Sequence, residues 1–179
     1  MGVWMRILAV FAGVLVLSSC ASISKEDCVA GDWRQVGFVD GTKGRAPDYI
    51  QKHGKACAKV GVTPDLPAWK AGRTKGLEQY CTPASAYLVG RRGSSIAPYC
   101  SATQLSAMRP AFNHGAEWWY YERYIRDLRR DLWDVERWMI RLSEDDAVSY
   151  SRLSNERWRI ERRIRSAELR QIRYASWPG

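Results

Sequence analysis

Five cysteines and two histidines are the residues best able to do covalent or metal chemistry in this 179-residue chain. The histidines offer little. His53 has Lys52 and Lys55 beside it, His114 precedes Gly115, and neither stands in a Gly-x-Ser-x-Gly or His-Glu-x-x-His pattern. A lone histidine on a helix reads as structural. Asp127 and Asp131 share a helix face, but the arginines around them make them ion-pair partners rather than an acid/base couple. The expectation is a protein that is not an enzyme, with no catalytic residue, no metal ligand and no cofactor.

Cys20 stands apart from the other thiols. Behind Arg6 runs an uncharged stretch of eleven residues from Ile7 to Leu17, about 16 Å of helix and too short to span a bilayer. It ends in Leu17-Ser18-Ser19-Cys20, which resembles the lipobox of bacterial lipoproteins. The resemblance implies a signal peptide at 1–19, acylation (palmitate among the chains) of Cys20, and a membrane as partner through that lipid. Two or more acyl chains anchor stably where one does not. Ala21 is not the Asp that retains such proteins at the inner membrane, so the same resemblance implies the outer membrane, with the chain facing the periplasm.

Four cysteines remain, Cys28, Cys57, Cys81 and Cys100, separated by 29, 24 and 19 positions. Zinc sites use close pairs, whereas an even number in an exported chain reads as two structural disulfides. Three pairings exist and the spacing does not choose among them. The local one, Cys28 with Cys57 and Cys81 with Cys100, is the expectation carried forward. Each bridge should stabilise by about 2–4 kcal/mol.

The elements that hold these residues fall into two compositions. With a net charge of +9, 26% charged and 46% hydrophobic residues, the chain is neither disordered throughout nor a multi-span membrane protein. All seven lysines, all the cysteines and six of seven prolines precede Gly115. Residues 21–115 carry a net +6 and residues 116–179 a net +2. The expected order is a tether at 20–27, a basic disulfide-stapled helical head at 28–115 and an amphipathic Arg/Trp-rich helical tail at 116–179. The fold class is all-α.

Helix starts in the head are marked by Ser24 with Asp27, Thr63-Pro64-Asp65, Thr82-Pro83 and Ser101 with Gln104, each a capping hydroxyl before a first turn. Ala46-Pro47-Asp48 opens another helix, and Gly61 is placed to end it. An aromatic followed three positions later by glycine recurs at Phe38/Gly41, Trp69/Gly72, Tyr87/Gly90 and Phe112/Gly115. Gly37, Gly41 and Gly44 form one ridge, and Gly72 with Gly76 another. Glycine inside a helix costs about 1 kcal/mol relative to alanine, so close helix approach is the expected compensation. The other reading is a backbone-lined surface for a sugar or anion beside Arg45, Arg73, Lys75, Arg91 and Arg92.

The tail carries an unbroken heptad seam at Trp118, Tyr121, Ile125, Leu128, Leu132, Val135, Met139 and Leu142. Ser143-Glu144-Asp145-Asp146 then reads as a new helix start. A second seam follows at Tyr150, Leu153, Ile160, Ile164, Ala167 and Tyr174, interrupted by Arg157 and Gln171. End signals favour an antiparallel hairpin about 143–149 over one long bent helix. Trp119, Trp133 and Trp138 flank the seam and are candidates for a partner face, since aromatics with arginine are enriched at interfaces.

The mature chain also resembles a family of short Gram-negative envelope lipoproteins whose domain has no assigned function. The residues that carry it are Cys28 with Gly31-Asp32-Trp33, Asp40-Gly41, Gly44-Arg45, Val62-Thr63-Pro64-Asp65, Ala71-Gly72-Arg73, Tyr80-Cys81-Thr82-Pro83 and Gly90-Arg91. The resemblance implies a periplasm-facing lipoprotein and no activity. The function expected is a non-enzymatic structural or protein-partner module, with self-association or an envelope protein engaged through 116–174. The alternative is a binder of an anionic envelope polymer, peptidoglycan or lipopolysaccharide, through the basic head. Nucleic acid is not expected for an exported chain.

Overall fold

Local chemistry sets most of the helix starts. In the computed structural model, which describes residues 22–142 and 146–179, Ser24 Oγ accepts from Asp27 N–H at 3.0 Å to open α1 (Lys25–Ala30). Asp32 caps α2 (Trp33–Thr42), and α3 (Ile50–Cys57) runs on as a 3-10 turn to Val60. Thr82 caps α5 (Pro83–Arg91) with proline in its first turn. Ser101 and Gln104 close a full capping box on α6 (Ala102–Arg141). With α4 (Leu66–Tyr80) and α7 (Ala147–Ile172), the described residues form an all-α fold. The lipobox, Cys20 and Ala21 lie outside the described residues, as do Ser143, Glu144 and Asp145 of the expected turn.

Three expectations are corrected here. α4 does not start at Thr63-Pro64: Asp65 caps it, accepting from Ala68 N–H at 2.9 Å, because a carboxylate next to the first turn satisfies its free N–H groups. Gly44 is not on the α2 ridge. The helix has ended by then, and Gly44 takes φ +64 beneath the Tyr80 ring, where a Cβ would lie 2.6 Å from Cζ. Ala46-Pro47-Asp48 forms the turn before α3 rather than its first helical residues, while Gly61 does end that segment, at φ +71.

The remaining recurrent glycines pack backbone on backbone. α2 crosses α4 with Gly37 and Gly41 against Gly72 and Gly76: a Cβ on Gly41 would meet Arg73 O and lie 2.8 Å from Gly76 Cα. α5 crosses α6 in the same way, Gly90 against Phe112 O and Gly115 against Tyr87 O. All four aromatic-x-x-glycine copies thus belong to two successive crossings of small-residue helix faces. The glycine surfaces are filled by opposing main chain, so they are not open to a sugar or anion.

Each crossing has its own core and disulfide. Cys28–Cys57 joins α1 to the end of α3 within a core of Trp33, Ile50 and Trp69. Cys81–Cys100 joins the end of α4 to the approach of α6, beside Tyr80, Tyr87, Val89 and Met108. These are the local pairings.

α6 then continues for 40 residues, passing Pro110 and Gly115 without interruption. Pro110 gives no N–H to the carbonyl of Ser106, and both residues are exposed, so water reaches that group. The change in composition at Gly115 is therefore not a break between elements. Beyond it, α6 and α7 form the antiparallel hairpin: Ile125 and Leu128 meet Ile160, Ile164 and Ala167, with Tyr121, Leu132 and Val135 half-buried around them. Tyr150 does not join this seam and stands exposed. Gln171, an interruption in the pattern, is bonded across the hairpin, its amide donating to Glu122 Oε2 at 2.9 Å.

Candidate functional site

Among the described residues, the buried charged side chains lie between the first helices. His53 is 2% exposed and Asp40 is 5% exposed. His53 Nε2 is 2.8 Å from Asp40 Oδ2, and the Trp69 indole N–H donates to the same oxygen at 2.9 Å. A carboxylate only accepts, so Nε2 carries the hydrogen; in the neutral ring Nδ1 then accepts from the Ser22 hydroxyl, 3.0 Å away. Ser22, His53 and Asp40 stand in the order of an acyl-transfer relay. Here, however, the acid is shared with an indole, and the bonds fasten α2, α3, α4 and the entering chain to one another. The physical effect is a latch.

Tyr49 flanks this latch, its ring edge-on to His53 at 5.2 Å. Arg45 Cζ lies 4.6 Å and Lys52 Nζ 5.0 Å from the Tyr49 ring centre. Arg73 bonds the same neighbourhood, its Nε donating to Arg45 O at 2.8 Å and its guanidinium 4.9 Å from the Tyr99 ring centre. Burial lowers the Arg73 pKa from its ordinary value, while Tyr99 and Asp40 act to raise it.

The five cations expected around the glycines separate. Arg45 and Arg73 meet at Tyr49, Trp69 and Tyr99. Lys75 is held by Glu78 at 3.1 Å, on a groove with Arg34 and Phe38. Arg91 lies over Trp118 at 4.1 Å and donates to Ala175 O, and Arg92 is the exposed C-terminal cap of α5. The residues after α7 are pinned at the same place: Tyr87 O–H donates to Tyr174 O at 2.8 Å, His114 Nε2 lies 3.0 Å from Ser176 O, and Trp177 packs on the second core.

The three flanking tryptophans also part company. Trp119 lies against Gly93, which has φ +67, and is half-buried. Trp133 and Trp138 are 55% and 59% exposed, farther along the hairpin. Each carries an arginine from the next turn: Arg137 over Trp133 at 4.0 Å, Arg141 over Trp138 at 5.8 Å. On α7, Trp158 repeats the arrangement with Arg162 at 4.6 Å. Ile140 on α6 and Val148 on α7 are 84% and 83% exposed.

The latch is the feature that sequence reasoning missed. Asp40 is 13 positions from His53 and Trp69 is 29 positions from Asp40, so no local motif joins them. The available signal was an acid in α2 on the same face as the glycine ridge, one position from Gly41.

Residues 32–117, a little under half of the chain, match the model of a family described as a protein of unknown function, DUF2799. The match begins at the Asp32 cap of α2 and ends just past Gly115, so it takes in both glycine crossings and leaves most of the hairpin outside. No curated protein and no solved structure matches the chain.

Proposed function

We propose that this chain is a lipid-anchored protein of the bacterial cell envelope, without catalytic activity, whose helical hairpin receives a protein partner. The anchor rests on Leu17-Ser18-Ser19-Cys20 and the absence of charge from Ile7 to Leu17. Ala21, which is not the Asp of inner-membrane retention, supports the outer membrane with the chain facing the periplasm, where two disulfides would be stable.

One observation carries the partner reading. The hairpin buries a narrow stripe and leaves Trp133, Trp138, Ile140, Val148 and Trp158 in water. Isolated exposed apolar residues are ordinary; five large ones on one hairpin, three of them tryptophans with an arginine within 5.8 Å of the indole, have the composition of an interface. No helix among the described residues is long and apolar enough to cross a membrane. The polymer-binding alternative draws on the head's net +6, but its five cations do not converge, which makes it the weaker reading.

The test is cross-linking in intact cells with a tagged full-length protein, followed by mass spectrometry of peptides joined to 133–158. One stoichiometric envelope protein, lost on combining Trp133→Ser with Trp138→Ser, is expected. Recovery of wall fragments alone, or of nothing through the hairpin, would overturn it. Sedimentation with purified cell-wall sacculi at low salt tests the alternative, because such attraction weakens as salt rises.

A further inference from the structure

We infer that the head is seated directly on the lipid surface, with Arg45, Tyr49, Lys52 and Lys55 against the phosphate groups of anionic lipids. The inference rests on the proposed acylation of Cys20. The expected tether at 20–27 leaves almost no slack, because Ser22 is already bonded to His53, Ile23 packs on the first core and α1 begins at Lys25. Ala21 alone separates Cys20 from Ser22, two steps of chain with a reach of at most about 7 Å when extended. An anchored lipid and a latched serine so close together leave the latch side of the head no room to stand off from the membrane.

The chemistry of that side fits a headgroup layer. Tyr49, half-buried, lies beside the latch and is flanked by Arg45 and Lys52, both exposed. Lys52 and Lys55 are three apart on α3, whose opposite face is buried through Ile50, His53 and Cys57. Tyrosine is enriched at membrane–water interfaces, and basic side chains there are drawn to anionic lipid. Asp40 is bonded within the latch, so Asp48 is the one other acid between 40 and 57, against Lys43, Arg45, Lys52 and Lys55, while α1 brings Glu26 and Asp27 with Lys25. Lys75 is a natural reference: its groove holds Phe38, which projects from α2 about 200° away from Asp40.

The test uses the full lipidated protein in vesicles of phosphatidylcholine with phosphatidylglycerol. Lysine acetylation by a water-soluble reagent is followed by mass spectrometry, against the unlipidated C20S protein. Lys52 and Lys55 should react about fivefold more slowly on the vesicles, the factor that one basic side chain at an anionic surface supplies, with Lys75 unchanged. A flexible glycine–serine segment inserted between Ala21 and Ser22 should restore their rates, with the fold left intact. Equal rates at Lys52, Lys55 and Lys75 in protein whose mass shows acyl chains on Cys20 would overturn the seating. So would slowing that survives the insertion, since the short connection would then not be its cause. A mature protein with no acyl mass on Cys20 would instead overturn the anchor itself, and the seating with it.

Discussion

His53 and Asp40 face each other at 2.8 Å in the interior, and they hold three helices and the entering chain at one point. Removing the acid strands both a histidine and an indole N–H in a site water does not reach. Asp40→Ala should therefore cost about 3 kcal/mol, at the lower end for a broken buried pair. Asp40→Asn keeps one acceptor oxygen and should cost less. Urea unfolding of the oxidised protein measures both, and equal midpoints for wild type and Asp40→Ala would refute the latch.

The glycine crossings make a sharper contrast. Gly41→Ala places a methyl into Arg73 O and Gly76 Cα of the opposing helix, and main chain cannot rotate away as a side chain can. A loss of about 3 kcal/mol is expected, more than enough to reverse the roughly 1 kcal/mol that alanine gains inside a helix. Gly61→Ala meets no atom within 4 Å and is disfavoured only by φ +71, so about 1 kcal/mol should be lost. Thermal unfolding of the two variants side by side separates contact from conformation.

Trp133 and Trp138 are more than half exposed and belong to none of the buried clusters. Replacing both by serine should leave stability within about 0.5 kcal/mol, as for ordinary surface changes, while abolishing capture of a partner through the hairpin. A large fall in the unfolding midpoint would mean that the indoles serve the fold.

At the start of α7, Asp146 accepts from Ser149 N–H at 3.0 Å. That backbone hydrogen bond, with a further one from the Ser149 side chain and a lesser contribution from Arg152, lowers the Asp146 pKa. A folded-state value below the unfolded one means stability that is present above about pH 4 and is lost as pH falls through the lowered value. Amide exchange at the first turn of α7 should quicken on acidification, and Asp146→Asn, which retains a capping oxygen, should remove that pH dependence. Persistence of the same acid-induced quickening in the Asn variant would assign it to another group.

Reduction is a third lever on the head, after the latch and the glycine crossings. Cys28–Cys57 and Cys81–Cys100 close separate loops in separate cores, so Cys→Ser pairs at each should destabilise by about 2–4 kcal/mol apiece and nearly additively. Strong non-additivity in denaturant would show that the two cores unfold as one.

What could be read in the sequence was what neighbours in the chain decide. Ser24, Thr82 and Ser101 announce their helices because a cap and its N–H lie within three residues. Thr63 misleads because Asp65, two positions on, competes for the same role. The hairpin followed from periodicity, since Ile125 and Leu128 must be covered and Ile160, Ile164 and Ala167 repeat their spacing. The glycine recurrence was visible but its partners were not: nothing local says that Gly41 meets Gly76 or that Gly90 meets Gly115. The same holds for the latch, and for the cations, which share a region of sequence without sharing a place.

α6 belongs to two structures at once. Its first turns are clamped to α5 where Gly90 and Gly115 bring main chain into contact, and its far end carries the exposed tryptophans. Forty helical residues make a rod of about 60 Å, and a rod so clamped cannot bend freely at its root. A force applied at the hairpin is delivered to the α5 crossing as torque, with Tyr174 and Trp177 as stays on the same side. The hairpin is thus mechanically a lever on a glycine fulcrum, and a load on its far end would reach the head through the α5 crossing.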